Sequence, residues 1–289
     1  MAIGRRLAAG LLALGLLICG DGARADLRVL RIGSGGLGGT YYPIASLIGR
    51  AMSGVDCDAG ADCGVPDLAV IAQASNGSVA NLEALAAGRV ELAMAQANVV
   101  HAAIHGTGPF AGGAHTELRA IGALYVEALH LAVRPAAAIR TVRDLRGRTM
   151  SLDEPGSGTL VDAQAVLRAY GLSEADLSAE YTKPEPALAA MADGRMDGLF
   201  TMAGSPVVSL LAAFPDLPIA FVPVDGPEAE ALAASTPYYV RTEIPAGAYP
   251  GTPATPTIGT PAILLVSAGL DEDTAYAVTA ALWSERTAR

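Results

Sequence analysis

Three times along this chain a short apolar run passes through a loop of glycine and small polar residues into a helical pattern. Leu27–Ile32 leads through Gly33–Gly39 to a helix over Pro43–Met52. Leu68–Ala72 leads through Ser75–Ser78 to Val79–Ala87, and Thr149–Leu152 leads through Pro155–Gly158 to Thr159–Tyr170. A strand that feeds a helix through so short a loop buries its apolar face most simply in a parallel βα arrangement, with helices packed on the sheet. Pro43 in the first turn and Gly88 just past the second helix fit the residue preferences of helix starts and stops.

The remaining segments extend the same alternation. Glu91–Ala95, Gly198–Met202, Ile219–Val222 and Ile263–Ser267 read as strands; Asn98–His105, Pro186–Ala192, Ser205–Phe214 and Glu272–Glu285 read as helices. Leu118–Val133 is a long extended apolar stretch carrying Tyr125, Glu127 and His130, and residues 244–261, rich in Pro, Gly and Thr, read as a crossing loop. The strand–loop–helix unit occurs early and again from residue 149, as two similar lobes would require.

The N-terminus reads as an export signal. Arg5 and Arg6 precede an apolar run from Leu7 to Cys19, and Ala23-Arg24-Ala25 supplies a small-x-small cleavage site before Asp26. The run is too short for a membrane span. Cys19 offers a lipoprotein alternative, but bulky Leu17 and Ile18 precede it where lipidation wants small residues. Loss of residues 1–25 removes Arg5, Arg6, Arg24 and Asp21, taking the net charge from −10 to −12. The mature chain is expected in the periplasm. There Cys57 and Cys63 are expected to pair as a disulfide; two free thiols are the second reading, and a metal site has too few ligands. Lys183 is the single lysine and the arginines are scattered, so no basic patch points to nucleic acid.

The chemistry, if any, lies in the loops. A helix N-terminus presents unpaired N–H groups and a partial positive charge, and glycine lets a ligand approach that backbone. In a doubly wound sheet such loops share one edge, so loops from two facing lobes can enclose a small solute without catalytic groups. Gly33, Gly35 and Gly38 also fit the G-x-G-x-x-G dinucleotide pattern, with Asp56 or Asp58 about 20 residues on, but that acid lies between two cysteines in a loop. No G-K-[ST] follows, and no G-x-S-x-G elbow is present. His101 and His105 share a helix face, with Ala102 where a zinc protease carries glutamate, so they read as an exposed face. Glu127, in so apolar a stretch, is either a pocket group or a paired hinge residue.

In order along the chain, IGSGGLGGTYYP, ASNGSVANLEAL, LAMAQANVVHAAIHGTGPF, LRAIGALYVEALHLAVR, TVRDLRGRTMSLDEPGSGT, MADGRMDGLFTMAGSP and IPAGAYPG resemble the solute receptors of TRAP transporters of the TAXI type, from Leu27 to Trp283. The resemblance implies an α/β, two-lobed periplasmic-binding-protein-like fold of type II, whose hinged lobes each carry a mostly parallel sheet flanked by helices. Residues 26–127 and 227–289 would form one discontinuous lobe and 128–226 the other, with hinges near Tyr125–Val133 and Val222–Gly226. It implies a monomeric receptor, not an enzyme, without cofactor or metal. Such a receptor captures a small amino acid or carboxylate, glutamate- or glutamine-like or a dicarboxylate, for TRAP permease membrane subunits.

Matched position by position, the resemblance places ligand contacts at Gly39, Thr40, Tyr41, Tyr42, Asn76, Gly77, Ser78, Gln96, Tyr125, Glu127, Ser157, Gly158, Thr159, Ala203 and Gly204. Asn98 stands where such receptors often carry aspartate. No arginine lies in these loops, so backbone dipoles are expected to neutralise a carboxylate, and the negative net charge gives no long-range pull on an anion. An amino acid fits that charge better, with Glu127 receiving its ammonium. The rival reading is an exported α/β dehydrogenase or hydrolase that uses the Gly33–Gly38 loop for a cofactor.

Overall fold

The computed structural model describes residues 27–54 and 64–284; Cys57, Cys63 and the N-terminal export signal lie outside them. The elements run β1 (Arg28–Gly33), α1 (Tyr41–Met52), β2 (Leu68–Gln73), α2 (Ser78–Ala86), β3 (Leu92–Gln96), α3 (Ala97–His105) and the long β4 (Leu118–Val133). β5 (Thr149–Ser151), α4 (Gly158–Ala169), β6 (Ser178–Glu180), α5 (Pro184–Ala192), β7 (Gly198–Ala203), α6 (Val208–Ala213) and β8 (Ala220–Phe221) follow. α7 (Gly226–Ser235), β9 (Val240–Ile244), β10 (Thr255–Ser267) and α8 (Glu272–Leu282) close the order.

The strands pair in the order β2-β1-β3-β10-β4-β7-β5-β6, with β8 on β4 and β9 on β10. The two long strands make this one path through two halves. β4 pairs with β10 through Leu118–Ala128 and with β7 through Ala128–Val133. β10 pairs with β9 through Thr255–Gly259 and with β3 through Ala262–Val266. The sheet is therefore mixed. β1–β2, β1–β3, β5–β6 and β5–β7 are parallel, and every antiparallel pairing involves β4 or β10.

Each half is a three-layer sandwich, and strand alternation builds it. Leu92 and Met94 of β3 face α1 and α8 with Leu30, Ile32 and Ile48, whereas Ala93 and Ala95 face α2 and α3 with Leu82 and Val99. In the second half Leu129, Leu131 and Val133 of β4 pack with α4 and α7, and Ala128 and Ala132 pack with α5 and α6. Among the described residues no helix is long and apolar enough to cross a membrane.

Two expectations about chain tracing change. Residues 244–261 are not a crossing loop: β9 ends at Ile244 and β10 begins at Thr255. The second crossing is therefore β10, at Gly259, and not Val222–Gly226. A Cβ on Gly259 would sit 2.1 Å from the Glu127 carbonyl oxygen, so glycine alone lets the two crossing strands approach. Residues 227–258, assigned above to the first lobe, pack with the second: Ala229, Leu232, Tyr239 and Ile258 share a core with Leu129, Val166 and Phe200. A Pro- and Thr-rich segment hides its strand pairing, because only the partner across the sheet reveals it.

Candidate functional site

Three helix starts from the two halves meet at one cleft. α1 and α2 bring theirs from the first half, and α4 from the second. Asn81 ties the first two together: its Nδ2 donates to the Ser34 carbonyl at 2.5 Å and the Met94 carbonyl at 2.8 Å, and its Oδ1 accepts from Ser75 Oγ at 2.6 Å. Gly77, at the start of α2, has φ 118° and ψ −153°, a region closed to residues with a Cβ. Ser157 caps α4 through Oγ, which accepts from the Leu160 N–H at 3.1 Å.

The halves are in direct contact round the cleft. The Gly156 carbonyl accepts from the Ala80 N–H at 3.0 Å, Asn76 Nδ2 donates to the Pro155 carbonyl at 3.1 Å, and the Ser209 N–H donates to the Gly38 carbonyl at 2.9 Å. Between them lies a cavity of about 80 Å³, room for a small solute. Gly39, Thr40, Tyr41, Asn76, Gly77 and Ser78 line it from the first half together with Gln96 and Glu127; Ser157, Gly158, Thr159 and Ala203 line it from the second.

Three expected residues do not line it. Tyr42 lies off the cavity, half-buried, and its carbonyl accepts from Ser46 Oγ. Tyr125 sits behind Thr40, to whose Oγ1 it donates at 3.2 Å, and Gly204 donates its N–H to the same oxygen at 3.1 Å. Thr40 is thus a strap between α1 and the end of β7 as well as a cavity wall. A Cβ on Gly204 would lie 3.2 Å from the Tyr125 ring, so Gly204 gives room for that strap.

Sequence reasoning missed Asp153, Glu154, Lys183, Glu185, Thr201 and Met202, which also line the cavity. Lys183 Nζ lies 2.9 Å from Glu154 Oε1. The glycine loop before β5's helix was the available signal for Asp153 and Glu154, two positions upstream of it; nothing local marks Lys183 or Glu185, which only the meeting of the halves brings in.

Buried carboxyls dominate the floor. Glu127 accepts from the Tyr41 hydroxyl at 2.8 Å and is 1% exposed. Burial pushes its carboxyl well above the usual range; the Tyr41 hydrogen bond opposes this, and Asp162 reinforces it. Asp162, on α4 behind the cleft, accepts from Asn98 Nδ2 at 2.8 Å and from the Tyr239 hydroxyl at 2.5 Å. Burial lifts it to about 7 against those hydrogen bonds. Burial likewise raises Asp153 to about 6. Gly158 is 2.2 Å, measured from its would-be Cβ, from Gln96 Oε1, so the halves meet here only because α4 begins with glycine.

His130 faces away from Glu127, as their spacing on one strand requires. Its Nδ1 bonds the Ala128 carbonyl at 2.9 Å, and its Nε2 meets the Tyr249 hydroxyl at 3.0 Å and Ser205 Oγ at 3.2 Å. His101 and His105 stack with ring centres 4.1 Å apart. Among the described residues no group of three or more His, Cys, Asp or Glu side chains is placed to hold a metal ion.

A family model described as the NMT1-like family matches residues 32–288. Among solved structures, the chain is similar to an ancestral arginine-binding protein bound to arginine, at 13% identity and TM-score 0.54, covering 91% of this chain and 94% of that one. It is similar to a putative L-cystine ABC transporter protein from Listeria monocytogenes, at 12% identity and TM-score 0.51, covering 88% and 89%. It is also similar to the alkanesulfonate-binding protein SsuA from Xanthomonas axonopodis pv. citri bound to MOPS, at 19% identity and TM-score 0.49, covering 91% and 77%. At these identities the first two likenesses show a shared two-lobed α/β fold.

Proposed function

Because the chain belongs to the NMT1-like family, we propose that it is an extracytoplasmic receptor that captures a small amino acid or carboxylate between its lobes and delivers it to TRAP-type permease membrane subunits. One observation carries the reading: helix starts at Thr40, Gly77 and Ser157, contributed by both halves, converge on one cavity between them. A solute bridging those loops has more contacts when the halves meet than when they part, so it shifts the hinge equilibrium toward closure. Delivery then follows from recognition of the closed shape. The seven ordered sequence runs support TRAP-type membrane subunits as the partner.

The enzyme alternative finds less support. A Cβ on Gly38 would lie 2.0 Å from Glu185 Oε1, so a carboxylate stands where a dinucleotide's pyrophosphate would approach this loop.

The test is a thermal-shift screen of refolded protein against amino acids and C4–C6 carboxylates. A bound solute at 100 times its dissociation constant adds about 2.7 kcal/mol. The solute recovered afterwards should be chemically unchanged by NMR. Silence across the panel, or consumption of the solute that binds, overturns the receptor reading.

A further inference from the structure

The two halves form a second, larger space away from the cleft. A groove of about 800 Å³ runs between α3 of the first half and α4 and α7 of the second. It has ten times the volume of the cleft cavity and falls within the roughly 300–1,000 Å³ of small-molecule pockets. Its floor joins the halves: Asn98 Nδ2 on α3 donates to the Tyr239 hydroxyl at 3.1 Å, and Val161 of α4 packs against the first-half core around Leu82 and Val99. At the rim the His101 ring meets the Tyr238 ring, with centres 5.8 Å apart.

The walls are apolar and made of small side chains: Ala102 from α3, Ala165 and Ala169 from α4, Ala231 and Leu232 from α7. Such walls offer contact area without imposing a shape. The charge lies at Arg168, exposed in the last turn of α4. Among the described residues no carboxylate lies within ion-pair distance of it, whereas Arg143, Arg146 and Arg195 of the same half are all paired. Glu228, the acidic residue of the lining, is itself held by Arg143. Burial drives the Tyr239 phenol well above its ordinary range and Asp162 adds to that, while Asn98 and Arg168 oppose it, so the guanidinium acts on the groove floor. In a chain of net charge −10, the groove thus keeps an unneutralised cation beside apolar walls.

We infer that this groove is a second ligand site, separate from the cleft, for a carboxylate with an apolar body, which places its carboxylate on Arg168 and its body against α3 and α7 and so bridges the halves. An uncharged molecule of the same shape would cover the guanidinium without giving it a partner, and a cation would be repelled by it. A carboxylate supplies the missing charge through charge-assisted hydrogen bonds, and its apolar body removes the alanine walls from water. Because α3 belongs to one half and α4 and α7 to the other, the ligand touches both walls only while the halves meet, and its binding favours that arrangement.

Octanoate, below its micelle concentration, is the probe, with 1-octanol as its uncharged counterpart. Calorimetric titration of the refolded full chain should show one saturable octanoate site. Octanoate should bind about three- to tenfold more tightly than octanol, between the worth of an exposed ion pair and that of a charge-assisted hydrogen bond, and added salt should narrow the gap. Arg168→Gln, an exposed change, should keep the ligand-free melting temperature and bring octanoate down to the level of octanol. Ala231→Trp, on the exposed wall of α7, should weaken both by filling the groove. The imidazole resonances of His101, on the opposite half from Arg168, should shift as octanoate saturates. No saturable octanoate binding, octanol binding as tightly, undiminished octanoate affinity in either variant, or silent His101 resonances would each overturn the inference. None of these arms uses the cleft or its solute, so the receptor reading stands whichever way they fall.

Discussion

Asn98 on α3 donates its amide to Asp162 on α4 at 2.8 Å, and this hydrogen bond ties the first half of the molecule to the second. Asp162 is fully buried, its Oδ2 has no partner, and burial lifts its pKa to about 7. The closed arrangement thus holds a proton that a solvent-exposed aspartate would release near 4. For such a raised group, the stabilisation is complete below about pH 4 and is lost as pH rises through about 7. Closure should therefore weaken between about pH 4 and 7, seen as a growing radius of gyration in solution scattering. Asp162→Asn should flatten that dependence. Asn98→Asp, which places a second carboxyl against the first, should steepen it and shift it to lower pH. An Asn98→Asp protein that closes identically at pH 8 would contradict the latch.

Gly158 offers a sterically defined test of closure. Its backbone lies outside the left-handed region, so alanine fits the chain there, and in a helix alanine is favoured by about 1 kcal/mol. Yet the added Cβ would meet the Gln96 amide at 2.2–2.8 Å. Gly158→Ala should leave the urea midpoint of the ligand-free protein unchanged or slightly higher and weaken solute binding about tenfold or more, since closure must yield a few tenths to an ångström. Shortening the opposing side chain, in Gly158→Ala with Gln96→Ala, should restore closure in scattering but not the binding.

Much of the fold was legible because its units are local. The strand–loop–helix signatures at Gly33–Gly39, Ser75–Ser78 and Pro155–Gly158 lie within a dozen residues each, and the structure places all three as expected at the cleft edge. Illegible features depend on distant pairing. The second crossing at Gly259 emerges only when β10 is laid beside β4. The packing of α7 against α4 depends on how the chain returns, and Lys183 and Glu185 reach the cavity only because α5 of one half faces the α1 loop of the other. Tyr125 shows the reverse limit. Its place near the cleft was legible, but whether it lines the cavity or braces Thr40 depends on a side-chain direction that spacing does not determine.

Asn81 should prove the costliest polar residue of the first half to remove. It is 1% exposed and satisfies two carbonyls, of Ser34 and Met94, while accepting from Ser75. Asn81→Ala leaves both carbonyls and the hydroxyl without that partner in a dry interior, a loss of roughly 2–4 kcal/mol. Urea denaturation should report it as a lowered midpoint with little change in slope. A loss under 1 kcal/mol would mean that water replaces the amide.

His130 predicts an acid limb opposite in sign to that of Asp162. The Tyr249 hydroxyl accepts from the Val207 N–H at 2.7 Å, so its own proton points to His130 Nε2, and Nδ1–H then donates to the Ala128 carbonyl. Both ring nitrogens are thereby satisfied in the neutral tautomer, and burial depresses the pKa to about 4. A depressed histidine contributes stability that is present above its unfolded value near 6.5 and is lost as pH falls through about 4. Between about pH 4 and 6.5 that loss opposes the gain from the raised carboxyls Asp162, Asp153 and Glu127, so it offsets part of the rise in the wild-type urea midpoint as pH falls. His130→Gln, which cannot take up a proton, should lower the midpoint at neutral pH yet expose the Asp162 limb, becoming more stable as pH falls from 6.5 to 4.5. The imidazole C–H resonances of His130 should not titrate above pH 5; a midpoint near 6.5 would place the ring in water and remove the basis for both halves of the prediction.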